Sequence, residues 1–127
     1  MRAHRIGTFA LAALVLAGCH GDRDQYVRDL KNDRPEIRAG ALRKLSDLHD
    51  PRDLAAFIAK SQDFSAMVRK ASAEALGTTD DPHAVDVLGT LLADPDDAVQ
   101  AAAAASLAKL PDQKATGYLL SAYSRRG

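Results

Sequence analysis

A repeat of 31 residues without insertion or deletion is the feature that most restricts how this chain can fold. Its clearest copies are, in order, Ile37-Arg38, Val68-Arg69 and Val99-Gln100. Going back one period from the first copy leads to Tyr26-Val27, so half a repeat precedes the first whole one. A fixed period of this size is typical of solenoid arrays, in which neighbouring units stack and share one continuous core.

Each period has helical patterning on both sides of a single turn. In the second unit, apolar and small residues follow the spacing i, i+3, i+4, i+7, i+8, and a second stripe begins after Asp81-Pro82. Asp at the N-cap followed by Pro is a favourable helix start, because the carboxylate accepts free backbone N–H groups and Pro has none to satisfy. No segment alternates with a period of two, so we expect helical hairpins and no strands. The first stripe consists of Val68, Ala71, Ser72, Ala75 and Leu76.

The second unit also carries the residues of a known family pattern. Asp63 precedes Val68-Arg69, an Ala-rich stretch ends in Ala75-Leu76-Gly77, and the turn contains Asp81-Pro82. This pattern resembles the short HEAT-like repeat named after the phycobilisome lyases, and the resemblance covers about residues 33–124. It implies an all-α fold, a short right-handed α-solenoid of about three helical hairpins after a preceding half repeat. The predicted domain is 22–127, with a half repeat at 22–32 and repeats at about 33–63, 64–94 and 95–124.

The resemblance also implies roles for the recurring charged residues. In this repeat type the recurring Arg usually bonds to acidic or carbonyl groups of the neighbouring unit, so Arg38 and Arg69 are interpreted as inter-repeat structural residues and not as ligand-binding ones. Asp50 and Asp81 are assigned to the same structural class. Gln100 carries no charge, which predicts a weaker contact at the third unit. The acidic group Asp94, Asp96 and Asp97 lacks the Gly and Glu of a calcium loop and is predicted to cap the following helix.

The N-terminal segment predicts where the protein works. Arg2 and Arg5 precede an uncharged apolar stretch, 6–17, which is too short to span a bilayer and has the layout of a secretory signal. Leu16-Ala17-Gly18-Cys19 follows it and resembles the lipobox of bacterial lipoproteins, which implies that residues 1–18 are cleaved and that Cys19 is acylated, for example with palmitate. The alternatives are an ordinary signal peptide that is cut nearby and leaves the only cysteine as a free thiol, or a cysteine that is buried by chance.

Lipidation would hold the domain close to a membrane. Residues 19–21 form the predicted lipidated terminus and short tether, and the basic residues after them are expected to face lipid headgroups. His20 follows the cysteine, and the lack of Asp there favours an outer-membrane protein that faces the periplasm. The basic residues in question are Arg23, Arg28, Lys31 and Arg34.

Composition excludes some functions. The chain has 17 basic and 17 acidic residues, so it offers no basic surface for nucleic acid. No histidine is followed by Glu, and neither a phosphate-binding Gly-rich loop nor a Gly-x-Ser-x-Gly elbow occurs. We therefore expect no enzyme, no catalytic residue, no cofactor and no metal. The alternative is a metal-dependent enzyme or regulator that uses His49 and His83, which both lie near the turns.

A partly apolar patch is left over once the core stripes of the second helices are assigned. Val87 and Leu91 lie at the edge of that stripe, and Tyr118 follows Val87 by one period. Together with Lys60, and with Asp86 beside it, these residues form the predicted partner-binding patch, because second helices usually line the concave side of such solenoids. In the alternative, Leu91 is half-buried packing and Tyr118 covers the C-terminal end.

The predicted membrane attachment and the predicted solenoid together lead to one functional hypothesis. The protein is expected to be a membrane-anchored envelope lipoprotein that binds another envelope protein as a scaffold, for example as an assembly factor or as an immunity-type protein that masks a toxin. Solenoid ends normally need polar caps, yet the last unit carries apolar residues at 118–120. This uncapped C-terminal repeat could dock on a partner or form a homodimer.

Overall fold

The structure is a computed structural model that describes residues 21–127. The predicted signal, 1–18, and the predicted lipidation site, Cys19, lie outside the described residues. The described part contains helices joined by short loops and no strand. No helix in it has both the length and the apolar character needed to cross a membrane. Helix α1 occupies 21–29, and the elements after it are α2 Pro35–Leu48, a 3₁₀ turn Pro51–Asp53, α3 Leu54–Lys60, α4 Ala66–Leu76, α5 Pro82–Leu91, α6 Asp97–Lys109 and α7 Gln113–Arg126.

The helices form consecutive hairpins that stack side by side. The pairs α2/α3, α4/α5 and α6/α7 follow α1, the first helices α2, α4 and α6 pack on one another, and the second helices pack behind them. This arrangement confirms the prediction of an all-α solenoid of helical hairpins. The boundaries assigned to the individual repeats stay a prediction.

A single continuous core runs through the stack. Leu45, Leu76 and Leu107 occupy the same repeat position, and each has an exposed fraction of 1% or less. Burying one such side chain contributes about 1.5–3 kcal/mol relative to leaving it in water. Each unit therefore places its leucine against the next, and no hairpin could bury this surface alone.

Small residues bring the first helices close together. The hydroxyl of Ser106 in α6 donates to the backbone oxygen of Ala73 in α4 at 2.8 Å. A Cβ atom placed on Gly77 would lie 2.5 Å from the Ser106 Oγ atom, so this approach requires glycine at the end of α4. The Ala-rich sequence of α6 fits this close packing.

The stack has two edges with different chemistry. We call the turns inside the hairpins, 49–53, 77–82 and 110–112, the turn edge, because the first two line one cleft. We call the loops between hairpins, 30–34, 61–65 and 92–96, the loop edge. The first helices of 11 to 14 residues separate the two edges by about 16–21 Å.

Helix α1 is fixed with its N-terminal end at the turn edge. The guanidinium of Arg23 forms a hydrogen-bonded ion pair with Asp53, whose exposed fraction is 1%, and lies 3.3 Å from the carboxylate of Asp50. This finding corrects the expectation that Arg23 faces lipid headgroups, because its side chain is used inside the protein. Arg28 and Lys31 lie at the other end of α1, next to the loop edge.

Candidate partner-binding surface

The recurring arginines form a ladder along the loop edge. Arg38 donates from Nε and Nη2 to the carboxylate of Asp63 at 3.0 and 2.8 Å, and from Nη1 to the backbone oxygens of Asn32 and Asp33 at 2.7 and 2.9 Å. Asp63 also accepts the backbone N–H of Ser65 at 2.9 Å. Each arginine thus ties together two successive loops between hairpins.

The second step of the ladder repeats the first. Arg69 reaches the Asp94 carboxylate at 2.8 and 3.1 Å and the backbone oxygens of Asp63 and Phe64 at 2.9 and 3.1 Å. Burial by itself would raise the pKa of the Asp94 carboxyl, but hydrogen bonds from Arg69 and from the N–H of Asp96, together with the charge of Arg69, hold this pKa below its usual value. Asp94 was grouped with the helix-capping acids, and this assignment is corrected: its main partner is Arg69.

The ladder ends in a different way at the third unit. The Gln100 side chain still donates to the backbone oxygen of Asp94 at 2.6 Å. One period after Asp94, however, the sequence has Arg125 in place of an acid, and the neighbouring Arg126 donates to the Gln100 amide oxygen. The last step is therefore made without a carboxylate.

Asp50 and Asp81 act mainly within their own units. The Asp50 carboxylate accepts hydrogen bonds from the guanidinium and the N–H of Arg52, which hold its pKa well below the usual range. Asp81 caps α5 by accepting the N–H of His83 at 2.8 Å, and this bond lowers its pKa. Only Asp50 also reaches outside its hairpin, to Arg23 of α1.

The predicted patch of Lys60, Val87, Leu91 and Tyr118 does not form one exposed surface. Leu91 is corrected as a contact residue, because only 6% of it is exposed and its side chain belongs to the core. Val87 and Tyr118 are half-buried and pack against the same core. Lys60 lies on α3, 3.8 Å from the Asp63 carboxylate, so it joins the ladder instead of the patch.

Tyr118 joins the last two second helices. Its ring covers Gly89, where an added Cβ atom would lie 2.7 Å from three ring atoms. Its hydroxyl donates to Asp86 at 3.0 Å, and Lys114 donates to the same carboxylate oxygen at 2.9 Å. The hydrogen bonds from Lys114 and Tyr118 lower the pKa of Asp86, and the bond to Asp86 raises that of the Tyr118 hydroxyl. These contacts agree with the structural alternative for Tyr118.

The two candidate metal histidines have no ligand set around them. His49 ends α2 in a left-handed backbone conformation, with φ 51°, and lines the cleft of about 520 Å³ at the turn edge. His83 is exposed, and its Nδ1 atom lies 2.7 Å from the Asp81 carboxylate. Within residues 21–127, no three His, Cys, Asp or Glu side chains are grouped so that they could hold a metal ion.

The repeat pattern predicted the uncapped apolar C-terminal unit but not the exposed side chains of Phe64 and Met67. Phe64 is fully exposed at the loop edge, and Met67 is 51% exposed three residues later. Leu120 and Tyr123 of α7 are 65% and 82% exposed. A comparison of repeat positions could have identified Phe64, because the equivalent residues are Asp33 and Pro95, neither of which belongs to the core.

Comparisons with known proteins agree with this architecture. The family model for HEAT repeats matches residues 55–126, which is more than half of the chain. No curated protein matches the chain. One similar solved structure is a chain from the complex of CpcE and CpcF of phycocyanin lyase from Nostoc sp. PCC7120, with a TM-score of 0.61, 21% sequence identity and coverage of 79% of each chain.

This comparison corrects one prediction. The expectation that the chain is not an enzyme is contradicted, because the similar chain comes from a lyase complex. The absence of familiar catalytic motifs was therefore not a sufficient reason to exclude an enzyme from this fold. At 21% identity, the likeness itself shows the fold alone.

Proposed function

Because the chain belongs to the family of HEAT repeats, we propose that it is a protein-binding scaffold held on a bacterial membrane by an acylated Cys19. The lipobox resemblance of residues 16–19 supports the anchor, and the solenoid supports the binding role. One acyl chain gives only reversible membrane attachment, and several chains on one cysteine give a stable one. His20 after the cysteine, where Asp is lacking, supports a periplasmic location at the outer membrane.

The observation that carries the binding role is the outer face of the third hairpin. On α4 and α5, Ala73, Gly77 and Gly89 lie under the next unit. One period later, the same positions are Ala104, which is half-buried, and Ala108 and Leu120, which are exposed in the described part of the chain.

This face also has a shape that suits a helical partner. A groove of about 640 Å³ lies between α6 and α7, and its lining includes Ala104, Leu119 and Tyr123. The face corresponds to the surface by which the second hairpin binds the third, but Ala108 and Leu120 stand at the positions of Gly77 and Gly89 and make it more apolar. It can therefore pack against a helix of another protein or of a second copy of this chain, although not in the geometry of the internal stack. The similar structure was itself solved as a complex of two proteins, CpcE and CpcF, which supports a pairing role.

The biological roles that fit such a module are those in which one envelope protein holds another. An assembly factor would present its free face to a client, and an immunity-type protein would cover a toxin. A homodimer through the third hairpin would instead bury this face between two copies. These roles differ in which molecule covers the outer face of the third hairpin. Identifying that molecule therefore separates them.

The anchor is tested by mass spectrometry of the N-terminal peptide and by cell fractionation. We expect acylated Cys19 in the membrane fraction, and we expect the Cys19→Ser variant in the soluble fraction. An unmodified cysteine in a soluble protein would contradict the anchor.

The binding role is tested by purification from detergent-extracted membranes after crosslinking. The double variant Leu120→Glu/Tyr123→Glu should lose its crosslinked partner, or its dimer if the partner is a second copy. Ser124→Glu is the matched control, because position 124 and its equivalents, Gln62 and Ala93, are exposed in every unit. A crosslinking pattern identical in parent, double variant and control would count against the proposal. Leu91 is unsuitable as a test residue because a charge there would disrupt the core.

A further inference from the structure

Phe64 and Met67 are an apolar pair that the repeat itself does not require. Phe64 is fully exposed, and 51% of Met67 is exposed. The equivalent positions of the other units hold polar, charged or small residues, so the stack forms without apolar side chains there. The equivalent residues are Asp33 and Pro95 for Phe64, and Glu36 and Ala98 for Met67. Single exposed apolar residues are common, but a fully exposed Phe with a half-exposed Met one helical turn away forms an apolar patch at the loop edge.

The backbone that carries Phe64 is held in place on both sides. The Asp63 carboxylate accepts the N–H of Ser65 at 2.9 Å and is itself paired with Arg38 at 2.8 Å. The backbone oxygen of Phe64 accepts a hydrogen bond from Arg69 at 3.1 Å. A side chain presented on such a fixed loop loses less conformational entropy on binding than one on a mobile loop. Large side chains that enter a pocket of the partner dominate the affinity of many interfaces.

The position of α1 decides whether Phe64 faces the bilayer or the aqueous phase, provided that the lipid attachment proposed above is correct. Arg23 fixes the N-terminal end of α1 to Asp53 at the turn edge. Cys19 precedes Gly21 by only two residues, which extend to about 7 Å at most. The bilayer would therefore lie at the turn edge, and Phe64 lies at the loop edge, about 16–21 Å away along the first helices.

We propose that Phe64 and Met67 form the central contact of a binding site for a protein in the aqueous phase, on the edge of the anchored solenoid that faces away from the membrane. The partner would have an apolar pocket that takes the phenyl ring, with the thioether of Met67 packed at its rim. This site is separate from the outer face of the third hairpin. The two surfaces could therefore be occupied together, as a scaffold requires.

The orientation is tested with the acylated full-length protein in phosphatidylethanolamine and phosphatidylglycerol vesicles that carry a lipid-bound quencher. A fluorophore is placed on Asp80→Cys at the turn edge or on Gln62→Cys at the loop edge, two exposed positions. We expect at least twofold stronger quenching at residue 80 than at residue 62. Equal or reversed quenching with Cys19 acylated overturns this inference alone. An unmodified Cys19 overturns the proposed anchor and with it the argument for an aqueous partner.

The contact is tested by placing a benzophenone photo-crosslinking amino acid at residue 67 of the full chain in cells. A crosslinked protein is identified, purified and titrated against the acylated parent and two variants. Phe64→Ser should weaken its binding about 30-fold, as for loss of a central aromatic contact. Leu48→Ser is the matched control, because Leu48 is 45% exposed and ends α2 close to the turn edge, and it should change binding less than threefold.

Several results would overturn the proposal. Crosslinks to lipid would assign the patch to a membrane, and crosslinks to a second copy of this chain would assign it to self-association. No protein crosslink, or equal affinity of parent and Phe64→Ser, would also refute it. Because Phe64 contributes nothing to the core, the thermal midpoint of Phe64→Ser should match that of the parent, so lost binding would not reflect unfolding.

Discussion

Replacing Arg69 by Met should cost about 3 kcal/mol of unfolding free energy. The ion pair between Arg69 and Asp94 is largely buried, with side-chain exposed fractions of 15% for Arg69 and 6% for Asp94. Removing one partner of a buried ion pair typically destabilises by about 3–5 kcal/mol, because the other charge stays buried without compensation. The remaining exposure of the Arg69 side chain places the expected loss at the lower end of that range. Methionine keeps most of the apolar stem, so the loss reports mainly on the charge and its hydrogen bonds.

Urea denaturation followed by circular dichroism at 222 nm measures this loss. With a denaturant slope of about 2 kcal/mol/M, the unfolding midpoint should fall by about 1.5 M. The double variant Arg69→Met/Asp94→Asn leaves no unpaired charge and keeps an acceptor for the N–H of Asp96, so it should lose only about 1 kcal/mol. Gln100→Met, at the uncharged end of the ladder, should lose about 1 kcal/mol or less. If Arg69→Met lost no more than Gln100→Met, or if the double variant lost more than Arg69→Met, the ladder would not be a set of coupled ion pairs.

The same variant makes a prediction about pH. The native pKa of Asp94 lies below its usual value, so the ion pair stabilises the fold fully above the unfolded pKa of about 3.9. This stabilisation is lost as the pH falls through the lowered native pKa. In Arg69→Met, burial raises the pKa of the unpaired Asp94 carboxyl, so the difference in unfolding free energy between the parent and the variant should be largest at pH 7 and should shrink progressively as the pH falls to 3. Denaturation curves at pH 7, 5 and 3 measure it, and a difference that is equal at all three would refute the assignment.

Two further predictions concern packing and buried hydrogen bonds. Gly89→Ala should destabilise by about 1–3 kcal/mol because the new Cβ atom meets the Tyr118 ring, whereas Gly117→Ala, in open space on α7, should stabilise by about 0.4–1 kcal/mol. Thermal denaturation of both variants checks this, and equal shifts in the same direction would contradict the contact. Ser72→Ala should cost about 0.5–1.5 kcal/mol, because the Ser72 hydroxyl donates at 2.6 Å to the buried backbone oxygen of Phe57, which keeps the N–H of Ser61 as its second donor at 3.2 Å. Urea denaturation measures the loss, and an unchanged midpoint would show that the Ser72 hydrogen bond contributes nothing to stability.

The turns show what could be predicted from local chemistry. An Asp before Pro predicted the start of a second helix, and Asp50, Asp81 and also Asp112, which precedes Gln, each accept the N–H two residues later at 2.7–2.9 Å. In the first hairpin, a 3₁₀ turn, Pro51–Asp53, lies between the capping Asp50 and α3. A capping signal depends on a few adjacent residues, so it can be read without knowledge of the tertiary structure.

The patch on the second helices could not be predicted in the same way. Helical periodicity shows which face of a helix is apolar, but not how much of its edge the next helix covers. Tyr118 reaches back over Gly89, and this contact needs both a glycine in one unit and an aromatic residue in the next. Asp94 was misassigned for a related reason, because its sequence neighbours Asp96 and Asp97 suggested a cap. The equal spacing of Arg38 to Asp63 and of Arg69 to Asp94, 25 residues in both cases, was the signal for the ladder.

The repeat supplies a standard against which each residue can be judged. Where a position keeps its type in every unit, as Leu45, Leu76 and Leu107 do, stacking is a sufficient explanation. Where the residue of one unit differs in type from its equivalents and makes no stacking contact, stacking does not explain it. A functional role is then the better explanation, because natural sequences break local rules chiefly at functional sites. Phe64 is such a departure: an apolar residue that the core does not use. Arg126, which satisfies Gln100 where the ladder has no carboxylate, is a departure that the stack does use. Variants at Phe64 should therefore change binding without changing stability, and variants at Arg126 should change stability first.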